Sequence, residues 1–173
     1  MEWGSNAALL KIHWPLSTTA IVGLLLSVFV IGLDLWTKKL AIEYLEYAQP
    51  LVLLPVFNFT LQFNAGAAFS FLSDAGGWQR WFFSAIAAFV SSVLVVWLLR
   101  LKPEQKLLAA SLSLIVAGAL GNLWDRLTLG YVVDFISLHY ENYYFPTFNI
   151  ADSAISMGAG MLVLDAFLHP NEE

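Results

Sequence analysis

Cysteine is missing from this sequence altogether. Disulfides, thiolate metal sites and a thiol nucleophile are excluded with it, and so is lipidation of this chain on cysteine. Charge is scarce: 12% of residues, against roughly 25% in soluble domains. A chain that is 59% hydrophobic, with a mean hydropathy of +0.70, fits an integral membrane protein. Its net charge of -5 gives no basic face, so nucleic acid is not an expected partner. Catalytic signatures are missing too. There is no HExxH, and His13, His139 and His169 are scattered, which argues against a zinc protease and leaves no metal motif. Neither a GxSxG elbow nor a P-loop occurs. A Ser–Lys pair stays open in principle, although Lys38 has no obvious serine partner.

Four apolar runs reach the roughly 20 residues that a spanning helix needs, at about 16–36, 78–99, 107–124 and 150–168. The first exceeds a signal-peptide core and has no small-x-small cleavage pattern after it, so it reads as a retained span. Pro15 suits the first turn of that helix. Trp78, Trp81, Trp97 and Trp124 fall near run ends, where indoles favour the membrane interface. Ser113, Ala117 and Gly121 recur every four residues, and Ala154 with Gly158 repeats the spacing. Such small faces let helix backbones approach closely. Four spans put both termini on one side. Lys11, Arg100, Lys102 and Lys106 lie on the terminal side, and Lys38, Lys39, Arg80 and Arg126 on the other. Setting aside Lys38 and Arg126 as parts of polar motifs tilts the balance toward cytoplasmic termini.

Two segments between spans, 40–77 and 128–148, read as extramembrane. Phe57, Phe59, Leu61 and Phe63 alternate with Asn58, Thr60, Gln62 and Asn64, which predicts a half-buried strand over 56–64. Pro50 and Pro55 bracket its approach, and Gly76-Gly77 closes the segment. A β-branched and aromatic stretch over 131–140 predicts a second strand. Both lie on the side opposite the termini and should build a small sheet on the membrane surface. Tyr143, Tyr144, Phe145 and Phe148 are expected at headgroup level.

Polar residues collect at the same ends of the four spans. Asp34 and Lys38 stand four apart on one helix face, acid first. Asn64 and Ser70 flank Gly66-Ala67-Ala68. Asn122 and Arg126 close the third span, then come Asp134, Asn149 and Asp152. An acid at the edge of hydrocarbon is costly and usually faces a polar cavity or a partner. Asp134 and Asp152 are therefore expected to share one site. Two carboxylates a few ångströms apart hold one proton between them, so one can activate water while the other polarises a carbonyl. Asp152, near a helix N-terminus, should favour its charged form. Asp165, at the opposite end of the fourth span, reads as an anchor.

The sequence resembles the lipoprotein signal peptidases, or signal peptidase II, the membrane aspartyl peptidases of bacteria. The likeness rests on five ordered stretches: Asp34 to Lys38, Asn64 to Ser70, Gly118 to Arg126, Val133-Asp134-Phe135, and Phe148 to Ser153. It implies a single membrane-embedded peptidase domain over 1–173, an α-helical fold with four transmembrane helices, and a small periplasmic β-sheet with a flap. It implies cleavage of diacylglyceryl-modified prolipoproteins just before the lipidated cysteine, at the periplasmic face of the bacterial inner membrane. Asp134 and Asp152 map onto the catalytic dyad. Asn64, Asn122, Arg126 and Asn149 match residues lining the site, and Asp34 with Lys38 is assigned to structural support. Other implications are sensitivity to globomycin-type inhibitors, a monomer in membrane lipid, and no metal or other cofactor. Two further classes stay open on the residues alone. One is a small transporter or channel subunit, although acids near the midplane would then be expected. The other is an assembly factor whose polar residues only join helices.

Overall fold

A computed structural model describes residues 16–66 and 77–169. Lys11, His13, Pro15, Ser70 and Gly76 lie outside the described residues. Among the described residues, four helices are long and apolar enough to cross a membrane: α1 (Thr18–Tyr44), α2 (Trp78–Leu99), α3 (Lys106–Thr128) and α4 (Ile150–Leu168). Ser17 caps α1, its hydroxyl accepting from the Ala20 N–H at 3.1 Å. The helix runs past Trp36, where the apolar run ends. Asp34, Lys38 and Ala41 keep the inward face in helical register, while Lys39 and Glu43 point out. Likewise α3 runs past Trp124 to Thr128, with Asn122 and Asp125 on its buried face. A helical period can continue in polar residues where hydropathy alone sees an end.

The central helix is α3, which packs against each of the other three. Ser113, Ala117 and Gly121 are all buried on it. The closest approach is made with α4. A Cβ on Gly118 would collide with the Ala151 carbonyl, and one on Gly158 would reach the Ser111 carbonyl at 2.7 Å. Ser27 joins α1 to α3 by donating its hydroxyl to the Ser113 carbonyl at 2.9 Å. Toward the loop between α2 and α3, Leu98, Leu101, Leu108, Ala109 and Leu112 form an apolar cluster. Trp78, Trp81, Trp97 and Trp124 are exposed at the helix ends, as expected of interfacial indoles.

At the other end lies an antiparallel sheet of β1 (Pro50–Leu54), β2 (Phe57–Asn64), β3 (Val132–Tyr140) and β4 (Tyr143–Tyr144), in that order. The strand expected over 56–64 is β2 and the one over 131–140 is β3. The alternation in β2 did not say which face turns inward. Asn58 and Thr60 are buried, whereas Phe63 is exposed and stacks on Tyr47. The phase changes at a bulge between Phe59 and Gln62. Tyr143, Tyr144 and Phe145 are strongly exposed on the hairpin, but Phe148 differs. It is half-buried because its carbonyl accepts from the Phe135 and Ile136 N–H groups and its own N–H donates to Ile136.

Candidate active site

Asn149 begins the site because it begins a helix. Its side-chain oxygen accepts from the Asp152 N–H at 2.8 Å, and Asp152 Oδ2 accepts from the Asn149 N–H at 3.3 Å. This reciprocal capping box fixes Asp152 in the first turn of α4. The Asn149 amide nitrogen is then free to point elsewhere. It donates to Asp134 Oδ1 at 2.8 Å, with the Asn122 side-chain oxygen and the Val133 carbonyl each at 3.2 Å. One wholly buried asparagine therefore touches both the helix that carries Asp152 and the strand that carries Asp134.

The other donors complete a cradle. Asn122, on α3, donates to Asp152 Oδ1 at 2.7 Å. Asn64, at the end of β2, donates to Asp134 Oδ2 at 3.1 Å, and its own oxygen accepts from the Gly66 N–H at 2.9 Å. The β2 bulge sits beside Asp134, whose register partner is Gln62, and bulges of this kind re-aim the side chains that follow. Each of the four carboxylate oxygens thus accepts one N–H, and every donor is neutral. Among the described residues neither acid is held in an ion pair.

Burial and the neighbouring negative charge of Asp152 push the Asp134 carboxyl up from 3.8 to about 7, against the pull of the Asn64 and Asn149 hydrogen bonds and of Lys38. Asp134 is 3% exposed, while Asp152 is half-buried. Asp134 is therefore set to keep its proton up to about neutrality.

Lys38 lies behind the asparagines and is 2% exposed. Its ammonium has three partners: Asp34 Oδ2 at 2.7 Å, Asp125 Oδ2 at 2.9 Å and Asn122 Oδ1 at 3.0 Å. The i,i+4 pair read from the sequence is thus one side of a buried triad. Asp125, inside the stretch Gly118 to Arg126, is the third member. Its position three residues from Asn122 on the same helix was the available signal. Arg126 behaves differently from the asparagines. It donates to the Asn122 carbonyl at 3.4 Å and lies over the Phe83 ring at 5.6 Å, and its Nε has no partner among the described residues. Asp165 stands apart, 3.1 Å from His169 in the last turn of α4.

Residues 26–168 match the model of the family described as Signal peptidase (SPase) II. The lipoprotein signal peptidase of Acinetobacter baumannii is 56% identical over 147 residues, covering 85% of this chain and 84% of its own length. The Pseudomonas aeruginosa protein of the same name is 54% identical over 144 residues, covering 82% and 85%. A solved structure described as a bacterial membrane enzyme aligns with a TM-score of 0.76 at 31% identity, covering 88% of this chain and 91% of that one.

Proposed function

The chain belongs to the signal peptidase II family of membrane aspartic peptidases, and we propose that Asp134 and Asp152 are the pair with which it cuts prolipoproteins before the lipidated cysteine. It is a multi-pass bacterial membrane protein, and signal-peptide removal from prolipoproteins is the activity of its family. The observation that carries the dyad is the asparagine bridge. Asn149 hydrogen-bonds Asp134 and caps the helix at Asp152, so one side chain touches the segments that carry both acids, and this supports the dyad.

In this reading Asp152 is ionised and Asp134 holds the proton. Asp152 takes a proton from water as the water oxygen attacks the scissile carbonyl carbon. Asp134 gives its proton to the carbonyl oxygen, and a neutral gem-diol forms. Collapse returns a diol proton to Asp134 and breaks the C–N bond. Asp152 passes its proton to the leaving α-amine. The products are a signal peptide with a new carboxyl end and a lipoprotein with a free amine on its lipidated cysteine. Neutral amide donors suit this cycle, because they orient both carboxylates without fixing either charge state. Asn64, Asn122 and Asn149 hold the pair, and Arg126 offers its open donors to the substrate.

Each acyl chain of the substrate favours hydrocarbon by roughly 0.8 kcal/mol per buried CH₂. A site at the helix ends lets the lipid stay in the bilayer while the peptide bond meets water. The sheet end then faces the periplasm and the termini face the cytoplasm. The cysteine-free chain makes this testable: Glu141→Cys in whole cells should react with a membrane-impermeant maleimide, and protection there would reverse the topology. The activity test is purified protein with a diacylglyceryl-modified prolipoprotein, with and without globomycin. Globomycin-sensitive cleavage by the native chain, with none by Asp134→Asn or Asp152→Asn, is expected. Full processing by either variant would remove that acid from the reaction.

A further inference from the structure

Two hydrogen bonds one residue away from the dyad have no place in the scheme above. The Ala151 N–H, immediately before Asp152, donates to Asp34 Oδ1 at 2.8 Å. The Val133 N–H, immediately before Asp134, donates to Asp125 Oδ2 at 3.1 Å. Asp34 belongs to α1 and Asp125 to α3. Lys38 joins these two carboxylates, at 2.7 and 2.9 Å. The result is a continuous path: Asp152, Ala151, Asp34, Lys38, Asp125, Val133, Asp134.

We propose that Asp34, Lys38 and Asp125 form a positioning clamp that sets the separation of the two reacting carboxyl groups by holding the backbone beside each of them. This rests on the dyad reading, and it gives Asp125 a function and Asp34 with Lys38 a more specific one than support. All three residues are at most 3% exposed, so solvent competes little for their bonds. The third ammonium donor goes to Asn122 Oδ1, which turns the Asn122 amide nitrogen toward Asp152. The same cation thereby fixes the orientation of one cradle amide.

The arrangement uses donors that needed acceptors in any case. The Ala151 N–H is among the first four of α4, which have no partner within the helix. An ordinary cap would satisfy it from the same helix. Here the acceptor comes from α1, so that helix is tied to the start of α4. Gly121 leaves the room for this: a Cβ there would stand 2.6 Å from Asp34 Oδ2. Reaction rates are steep in such distances, because misplacement of a reacting group by about 1 Å can cost roughly 100-fold.

The test measures kcat, KM and thermal stability with a synthetic diacylglyceryl prolipopeptide, well below the melting temperature of each variant. Asp125→Asn keeps an acceptor for Val133 but loses the ammonium, and Asp125→Ala loses both. The clamp predicts that kcat falls about 10-fold and then about 100-fold along that series, with KM within about 2-fold of the parent. A purely structural role predicts unchanged kcat for the folded fraction in both. Should the single variants fail to fold, the triple variant Asp34→Asn, Lys38→Met, Asp125→Asn buries no net charge and keeps both side-chain acceptors, and such neutral replacements are commonly tolerated. It should fold, bind substrate normally and turn over about 10-fold more slowly. A kcat within about 2-fold of the parent in the folded triple variant overturns the clamp. Asp134→Asn and Asp152→Asn run beside it: full activity there would instead sink the dyad reading, independently of the clamp.

Discussion

At the end of the bundle beside the loop between α2 and α3, Leu98, Leu101, Leu108 and Leu112 pack with Leu24 and Leu162. At the other end the same α1, α3 and α4 meet through Asp34, Lys38, Asn122, Asp125 and Asn149. Leucine contacts are short-ranged and nearly indifferent to orientation, and in lipid they gain nothing from leaving water. The hydrogen bonds of the polar end have fixed lengths and directions, and leaving one unmade in a dry site is costly. One end therefore gives cohesion, and the other gives a single geometry. A site that must hold two carboxylates at a set spacing belongs at the second end.

The strongest way to separate the ends is through the dyad. Asp134→Asn or Asp152→Asn should lower cleavage by roughly 10⁴-fold or more while the protein stays folded. Next comes Lys38→Met alone. It strands Asp34 and Asp125 without their cation and should destabilise the fold by about 3–5 kcal/mol in reversible unfolding from detergent micelles. A loss below about 1 kcal/mol would mean that the polar end is no more exacting than the apolar one. Leu112→Ala, wholly buried in the apolar cluster, should cost about 2–3 kcal/mol and leave kcat of the folded enzyme unchanged. A fall in kcat there would show that the two ends are coupled.

The pH dependence gives the most specific test. With the Asp134 pKa raised from 3.8 to about 7, the native state holds more protons than the unfolded chain between those values. The contribution of this group to stability is complete below about pH 4 and is lost as pH rises through about 7. Asn at this position does not titrate. The stability of Asp134→Asn relative to the parent should therefore improve across that window and level off above it. In the parent enzyme, kcat/KM should fall as pH rises through about 7, when the pair loses its shared proton. A stability difference between variant and parent that stays flat from pH 4 to 8 would contradict the raised value.

Much of this was legible in the chain. Long apolar runs located the spans, since a helix crossing hydrocarbon has no other way to satisfy its backbone. Alternation located β2, and the i,i+4 spacing of Asp34 and Lys38 located half of the triad. Other features left weaker traces. β1, Pro-Leu-Val-Leu-Leu, is exposed along its whole length and shows no alternation. The Asn149-x-x-Asp152 spacing is a capping-box signature that could have been read as one. The β2 bulge has no marker of its own, because it depends on register with a strand far along the chain.

Local pattern alone determined that this protein crosses a membrane, where it crosses, and that its acids and amides gather at one level. It could do so because helical period and hydropathy are properties of neighbouring residues. Which acid meets which amide was decided only by the tertiary structure. The bonds from Lys38 to Asn122, Ala151 to Asp34 and Asn64 to Asp134 join residues 84, 117 and 70 positions apart. The first two depend on how closely Gly118 and Gly121 let the helices pack, and the third on the register of β2 against β3, distances that no single segment contains.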